Sequence, residues 1–169
     1  MSGRLLTIDG VNAMDLDTFV TTFGHVYEST PELAHAAWGA APFADRSALV
    51  TAFAAVVADL DDAHVLALLR AHPQLATAGP MTDDSRDEQR SAGLRDLDAD
   101  TAERIRAGNA AYAERFGFPF IIAVRGLGPA DIAAALEDRL AHDAAEEQAT
   151  ARDQVTRIAE LRIAQVVAP

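Results

Sequence analysis

Apolar residues return every three or four positions along most of this chain, the period of a helix buried on one side. Phe19, Val20, Phe23 and Val26 form such a stripe over residues 15–27, and Leu49, Phe53, Val56, Val57 and Leu60 form another, with Ser47 placed to cap it. Thr30-Pro31 reads as an N-cap followed by proline at the first helical position, opening a segment that runs through Trp38 and breaks at Pro42-Phe43. Val65, Leu66, Leu68 and Leu69 mark a helix over residues 61–71, and Pro73 ends it by biasing His72 away from helical backbone. A loop over residues 76–84 turns at Gly79-Pro80. A further helix starts near Ser85, and another begins at Asp100 or Thr101 and runs to about Phe116. Gly128-Pro129 opens one over residues 130–142, and the last covers residues 144–167 with Val155, Ile158, Ala159 and Val166 inward.

Residues 118–124 depart from this period. They are bulky and β-branched, but no second run offers them a partner, so they read as a buried extended connector. The pattern therefore predicts an all-α fold: a single domain over residues 1–169, a bundle of about eight helices joined by short loops, with no linker or low-complexity stretch to divide it.

Composition narrows what such a bundle can do. Half of the 169 residues are apolar, enough for one sizeable core. No apolar run approaches the ~18 residues of a membrane span, and Met1-Ser2-Gly3-Arg4-Leu5-Leu6 lacks the hydrophobic length of a signal peptide. The expected setting is the cytoplasm. The absence of cysteine removes disulfides, thiolate metal sites and cysteine nucleophiles together. A net charge of −12 with no basic cluster argues against nucleic acid as a partner. A small anionic ligand would instead need locally placed arginines.

Arg162 is such an arginine, falling between Ile158, Ala159 and Val166 near the centre of the last helix's apolar stripe. An inward guanidinium suits a substrate carboxylate, but equally an internal ion pair or a stem that snorkels to solvent. Ser85-x-x-Glu88 has two readings as well, a capping box or donors at an anion site. His72, at a helix end, is either bonded to a carbonyl or an acid/base group. Asn109 and Tyr112 share a helix face, where a supporting role fits best. His25, His35, His64 and His142 show no His-x-x-x-His spacing, which argues against a metal site. Nucleotide cradles and serine-hydrolase elbows find no context either.

Taken together, Ala71-His72-Pro73-Gln74-Leu75-Ala76, Ser85-x-x-Glu88-Gln89 with Ala92-Gly93-Leu94, and Asn109-x-x-Tyr112-x-x-x-Phe116-Gly117-Phe118-Pro119-Phe120-Ile121 resemble the 2-oxo-4-hydroxy-4-carboxy-5-ureidoimidazoline (OHCU) decarboxylase family of purine breakdown. Phe23-Gly24-x-Val26-x-Glu28, Pro42-Phe43 and Val155-x-x-Ile158-Ala159-x-x-Arg162 extend the likeness over nearly the whole chain. Gln74 stands where the family often has aspartate, and the loop from His72 to Ser85 is shorter than in many members.

The resemblance implies decarboxylation of OHCU to (S)-allantoin without metal, pyridoxal or thiamine, because the substrate's own C=N unit can accept the electrons released. It gives His72 proton transfer, Arg162 the substrate anion, and Glu88 either the control of His72 or the ureido group. Further substrate contacts would come from Pro73, Ser85, Arg86, Asp87 and Gln89 and from the backbone of Phe120, Ile121, Ile122, Ala123 and Val124. The implied partner is a small anionic ureide, with urate oxidase and hydroxyisourate hydrolase as neighbours in the pathway. Family members are often dimers, which leaves a homodimer open. Two other readings stand beside this one: a non-catalytic helical interaction module, and a metal-free hydrolase or hydratase of a related ureide.

Overall fold

A computed structural model describes residues 5–169; Met1, Ser2, Gly3 and Arg4, part of the segment read above for a leader, lie outside the described residues. Among the described residues nine helices follow one another: α1 (Ile8–Asn12), α2 (Leu16–Phe23), α3 (Pro31–Trp38), α4 (Arg46–Ala58), α5 (Asp62–Ala71), α6 (Asp83–Ser91), α7 (Ala99–Phe116), α8 (Pro129–Arg139) and α9 (Ala144–Val166). The all-α expectation holds. The helix beyond the expected eight is α1, whose five residues are too few to show a stripe; Thr7 caps it by accepting from the Gly10 N–H at 3.1 Å. Residues 118–124 form neither helix nor strand, and the one isolated bridge among the described residues pairs Leu6 with Val167. No described helix is long and apolar enough to cross a membrane.

Two capping assignments differ from the sequence reading. Asp45, not Ser47, caps α4, because its extended backbone lets its carboxylate accept from the Ala48 N–H at 2.8 Å. Thr82, not Ser85, caps α6 by accepting from the Ser85 N–H at 3.3 Å. That second correction removes the capping box, which needs its serine at the N-cap. Ser85 and Glu88 lie inside the helix, one turn apart.

The chain divides into two compact units, Met1–Val65 with Thr156–Pro169, and Leu66–Val155. In the first, α2 packs on α3 and α3 on α4. Its core centres on Phe19, whose ring lies 4.8 Å from Phe23, 4.9 Å from Trp38 and 5.9 Å from Phe43. Asn12 fixes Phe43 with both ends of its amide, each bond 2.8 Å long.

In the second unit α7 packs on α8. The approach is close at Gly108, where an added Cβ would come within 2.6 Å of the Leu136 side chain. Helix α7 stops at Gly117, which adopts a left-handed φ of 77° that glycine takes without a Cβ penalty. The chain then turns into residues 118–124, and Phe118 and Phe120 meet the Tyr112 ring edge-on at 5.7 and 5.4 Å.

Candidate active site

Helix α5 buries Val65, Leu68 and Leu69, and the chain leaves it at His72, which is only 5% exposed. The His72 Nδ1 lies 2.9 Å from the Leu68 carbonyl. A carbonyl oxygen can only accept, so Nδ1 carries a proton. The carbonyl-bonded reading of this histidine is therefore present, through Nδ1.

Helix α6 turns Ser85, Glu88 and Gln89 to one face, with Ser85 and Gln89 buried and Glu88 half-buried. Asp87 is exposed. Arg86 pairs with Asp83, and Asp87 pairs with Arg90 at 2.7 Å. Gln89 turns its amide oxygen to the Ala76 N–H, 2.9 Å away, and Asn109 of α7 donates its Nδ2–H to the Leu75 carbonyl at 3.0 Å. Helices α5, α6 and α7 therefore converge on residues 72–76, where Pro73 is half-buried. A cleft of about 450 Å³ opens beside this turn, lined by Ala76, Thr77, Met81, Arg86, Gln89 and Arg95 among others. Of the expected site residues it takes Arg86 and Gln89.

Phe120, Ile121 and Val124 are buried, with Ile122 and Ala123 half-buried between them. Side chains satisfy part of this backbone in place of a sheet. Gln154 accepts from the Ala123 N–H at 2.9 Å, and Arg139 donates through Nη1 to the Ile121 carbonyl at 2.7 Å. The Arg139 guanidinium also lies over the Phe120 ring, 4.6 Å from its centre. Its Nε donates to Glu147 at 2.8 Å, and the fully buried Glu147 further takes the Tyr112 hydroxyl and His142 Nδ1, the latter at 2.7 Å. Burial, and then the hydrogen bond to Glu147, push the Tyr112 hydroxyl well above the ordinary value of 10.0. The sequence reading missed this network although a signal was present: Arg139 continues the α8 stripe of Ile132, Ala133 and Leu136, as Arg162 continues that of α9.

In the first unit Arg162, 2% exposed, directs Nη1 at Glu28 Oε2 3.1 Å away and at the His25 and Val26 carbonyls at 3.2 and 3.4 Å. The internal ion pair held open by the sequence is therefore present, with Glu28 as its acid. Glu28 adopts a φ of 53°, in the left-handed region. Among the described residues no group of three or more His, Asp or Glu side chains could hold a metal ion.

The sequence profile of the family described as OHCU decarboxylase matches residues 12–164. A 2-oxo-4-hydroxy-4-carboxy-5-ureidoimidazoline decarboxylase of Haloferax volcanii is 44% identical over 95% of this chain and 95% of its own. The uric acid degradation bifunctional protein PucL of Bacillus subtilis is 36% identical over 96% of this chain, which spans 33% of that longer protein. A crystal structure of (S)-allantoin synthase superimposes with a TM-score of 0.80 at 27% identity, covering 96% of this chain and 54% of the other. A helical frame with these likenesses is that of a carboxy-lyase. The chain belongs to the OHCU decarboxylase family.

Proposed function

We propose that this chain decarboxylates OHCU to (S)-allantoin, with His72 as the proton-transfer group. The observation that carries the proposal is the geometry of His72: a buried imidazole at a helix break, with Nδ1 tied to the Leu68 carbonyl. The reference pKa of histidine lies near neutrality, where one group can both take and return a proton. The decarboxylases among the relatives and the (S)-allantoin synthase support the substrate class. The uric acid degradation protein of Bacillus subtilis supports its metabolic setting.

In the reaction the bond to the carboxylate carbon breaks and carbon dioxide leaves. The bonding pair forms a C=C bond while the neighbouring C=N takes a proton at nitrogen. Protonation of the ureido-bearing carbon on one face, with collapse of the adjacent enol to a carbonyl, gives a single enantiomer. The substrate supplies its own electron sink, so the chain's part is to bind, orient and move protons. Ser85 and Glu88 share a helix face suited to the polar ureide. The role that the resemblance gives Arg162, holding the substrate anion, joins the proposal on that ground alone.

The test is a circular-dichroism assay with OHCU generated in situ from urate. Spontaneous decay gives racemic allantoin, so a dichroic signal reports catalysis. His72→Gln is expected to lower the saturated rate by ~10²–10⁴-fold while leaving the helical spectrum unchanged. A variant within about threefold of wild type overturns the assignment to His72.

A further inference from the structure

The turn that follows His72 is held in an unusual way. The Leu75 carbonyl and the Ala76 N–H are the two polar ends of one peptide unit, and each is gripped by a buried side-chain amide from a different helix. Asn109 of α7 donates to the oxygen at 3.0 Å, and Gln89 of α6 accepts from the N–H at 2.9 Å. Both side chains are buried, as is the Leu75 side chain that anchors the same unit. A peptide held at both ends cannot rotate about its flanking bonds without losing two hydrogen bonds at once, one buried and one part-buried. The need for such a grip is visible next door: Ala76 has a φ of 56°, a left-handed conformation that a residue with a Cβ adopts reluctantly.

We infer that Gln89 and Asn109 are positioning residues for His72, a clamp on the Leu75–Ala76 peptide that fixes the path of the chain three residues beyond the proton-transfer group. Pro73 stiffens the intervening segment with its fixed φ, so a change at Ala76 is passed back toward His72 rather than absorbed. The inference rests on the reading of His72 as the acid/base group, and it assigns Gln89 a structural duty that a substrate-binding role alone does not include. The atoms that matter differ between the two amides. Gln89 works through its oxygen, whereas Asn109 works through its nitrogen.

That asymmetry supplies the test. Gln89→Glu keeps an oxygen acceptor in either protonation state and is expected to hold the Ala76 amide, whereas Gln89→Leu loses it. Asn109→Asp, of nearly identical shape, has no N–H to give and, when ionised, places an acceptor against the Leu75 carbonyl. Amide hydrogen exchange at Ala76, read by NMR in the folded protein, is expected to quicken by about tenfold or more in Gln89→Leu and Asn109→Asp and to stay within about threefold of wild type in Gln89→Glu. In the stereoselective assay the first two variants lose about tenfold or more in kcat with a smaller change in KM, because the proton-transfer group is misplaced rather than the substrate unbound. Two outcomes overturn the clamp: exchange at Ala76 that is unchanged in Gln89→Leu and Asn109→Asp, or a rise in KM with kcat unchanged. A wild-type protein that gives no dichroic allantoin refutes the proposed reaction instead, and the exchange measurements still decide whether the clamp exists.

Discussion

Among the described residues two arginines are buried, one in each compact unit, and they are held differently. Arg139 directs Nη1 at a backbone carbonyl at 2.7 Å and Nε at Glu147 at 2.8 Å, lies over an aromatic ring, and faces a carboxylate that also binds a tyrosine and a histidine. Arg162 meets Glu28 and two carbonyls through Nη1 at 3.1–3.4 Å. Short, convergent bonds on every side mark a guanidinium whose work is to hold its surroundings, here the backbone at Ile121. The proposed division is structural for Arg139, on these bonds, and functional for Arg162, on the family resemblance alone.

The comparison is best broken by removing each charge in turn. Arg139→Met leaves Glu147 buried with its cation gone, a loss of roughly 3–5 kcal/mol. At ~2–4 °C per kcal/mol for a chain of this size, the melting temperature is expected to fall by about 6–20 °C. A double variant that also replaces Glu147 with methionine is expected to recover part of that loss. An Arg139→Met protein that melts with wild type removes the network from the structural account.

Arg162→Met strands Glu28, which is 1% exposed, and is expected to cost a similar ~3–5 kcal/mol of stability and to abolish most activity. Arg162→Lys keeps a charge but not the planar fork, and is expected to stay folded and still lose most turnover. Replacing Glu28 with glutamine in the Arg162→Met background is expected to restore melting temperature but not the dichroic signal. Restored activity in that double variant would make Arg162 a structural residue like Arg139.

The smallest effect lies in the tyrosines, since the chain has two and each unit holds one. Burial raises both Tyr27 and Tyr112 above the ordinary value of 10.0. With the folded pKa above the unfolded one, the unfolded chain loses its protons first. This contribution to stability is complete below about pH 10 and declines as pH rises beyond it. Tyrosinate absorbance is thus expected to appear together with loss of helix rather than before it, and Tyr112→Phe, at a cost of about 1 kcal/mol, should remove part of the alkaline dependence. A tyrosine that titrates near pH 10 in fully helical protein would contradict the burial of its hydroxyl.

Helix positions were legible where an apolar stripe meets a clear stop. Pro31 opens α3, and Pro73 closes the segment that ends at His72. They were less legible in α6, whose sequence from Asp83 to Ser91 is polar throughout, so no stripe marks its start and Ser85 was read as the cap that Thr82 supplies. Arg162 drew attention by interrupting a stripe. Arg139 sits in one just as plainly, but it lies at the end of α8, where a basic residue already has a local explanation in the helix dipole.

What the sequence determined alone was the all-α class, the family and the position of His72 at a helix break, because these follow from local periodicity, proline geometry and short motifs. What the tertiary structure decided was the partner of each buried polar group. Gln89 reaches Ala76 across 13 positions, Arg139 reaches Ile121 across 18, and Asn109 reaches Leu75 across 34. Helical periodicity relates residues three and four apart, so bonds of this span leave no trace in the pattern. They appear once packing has brought the helices together and each buried N–H and carbonyl has had to find its complement.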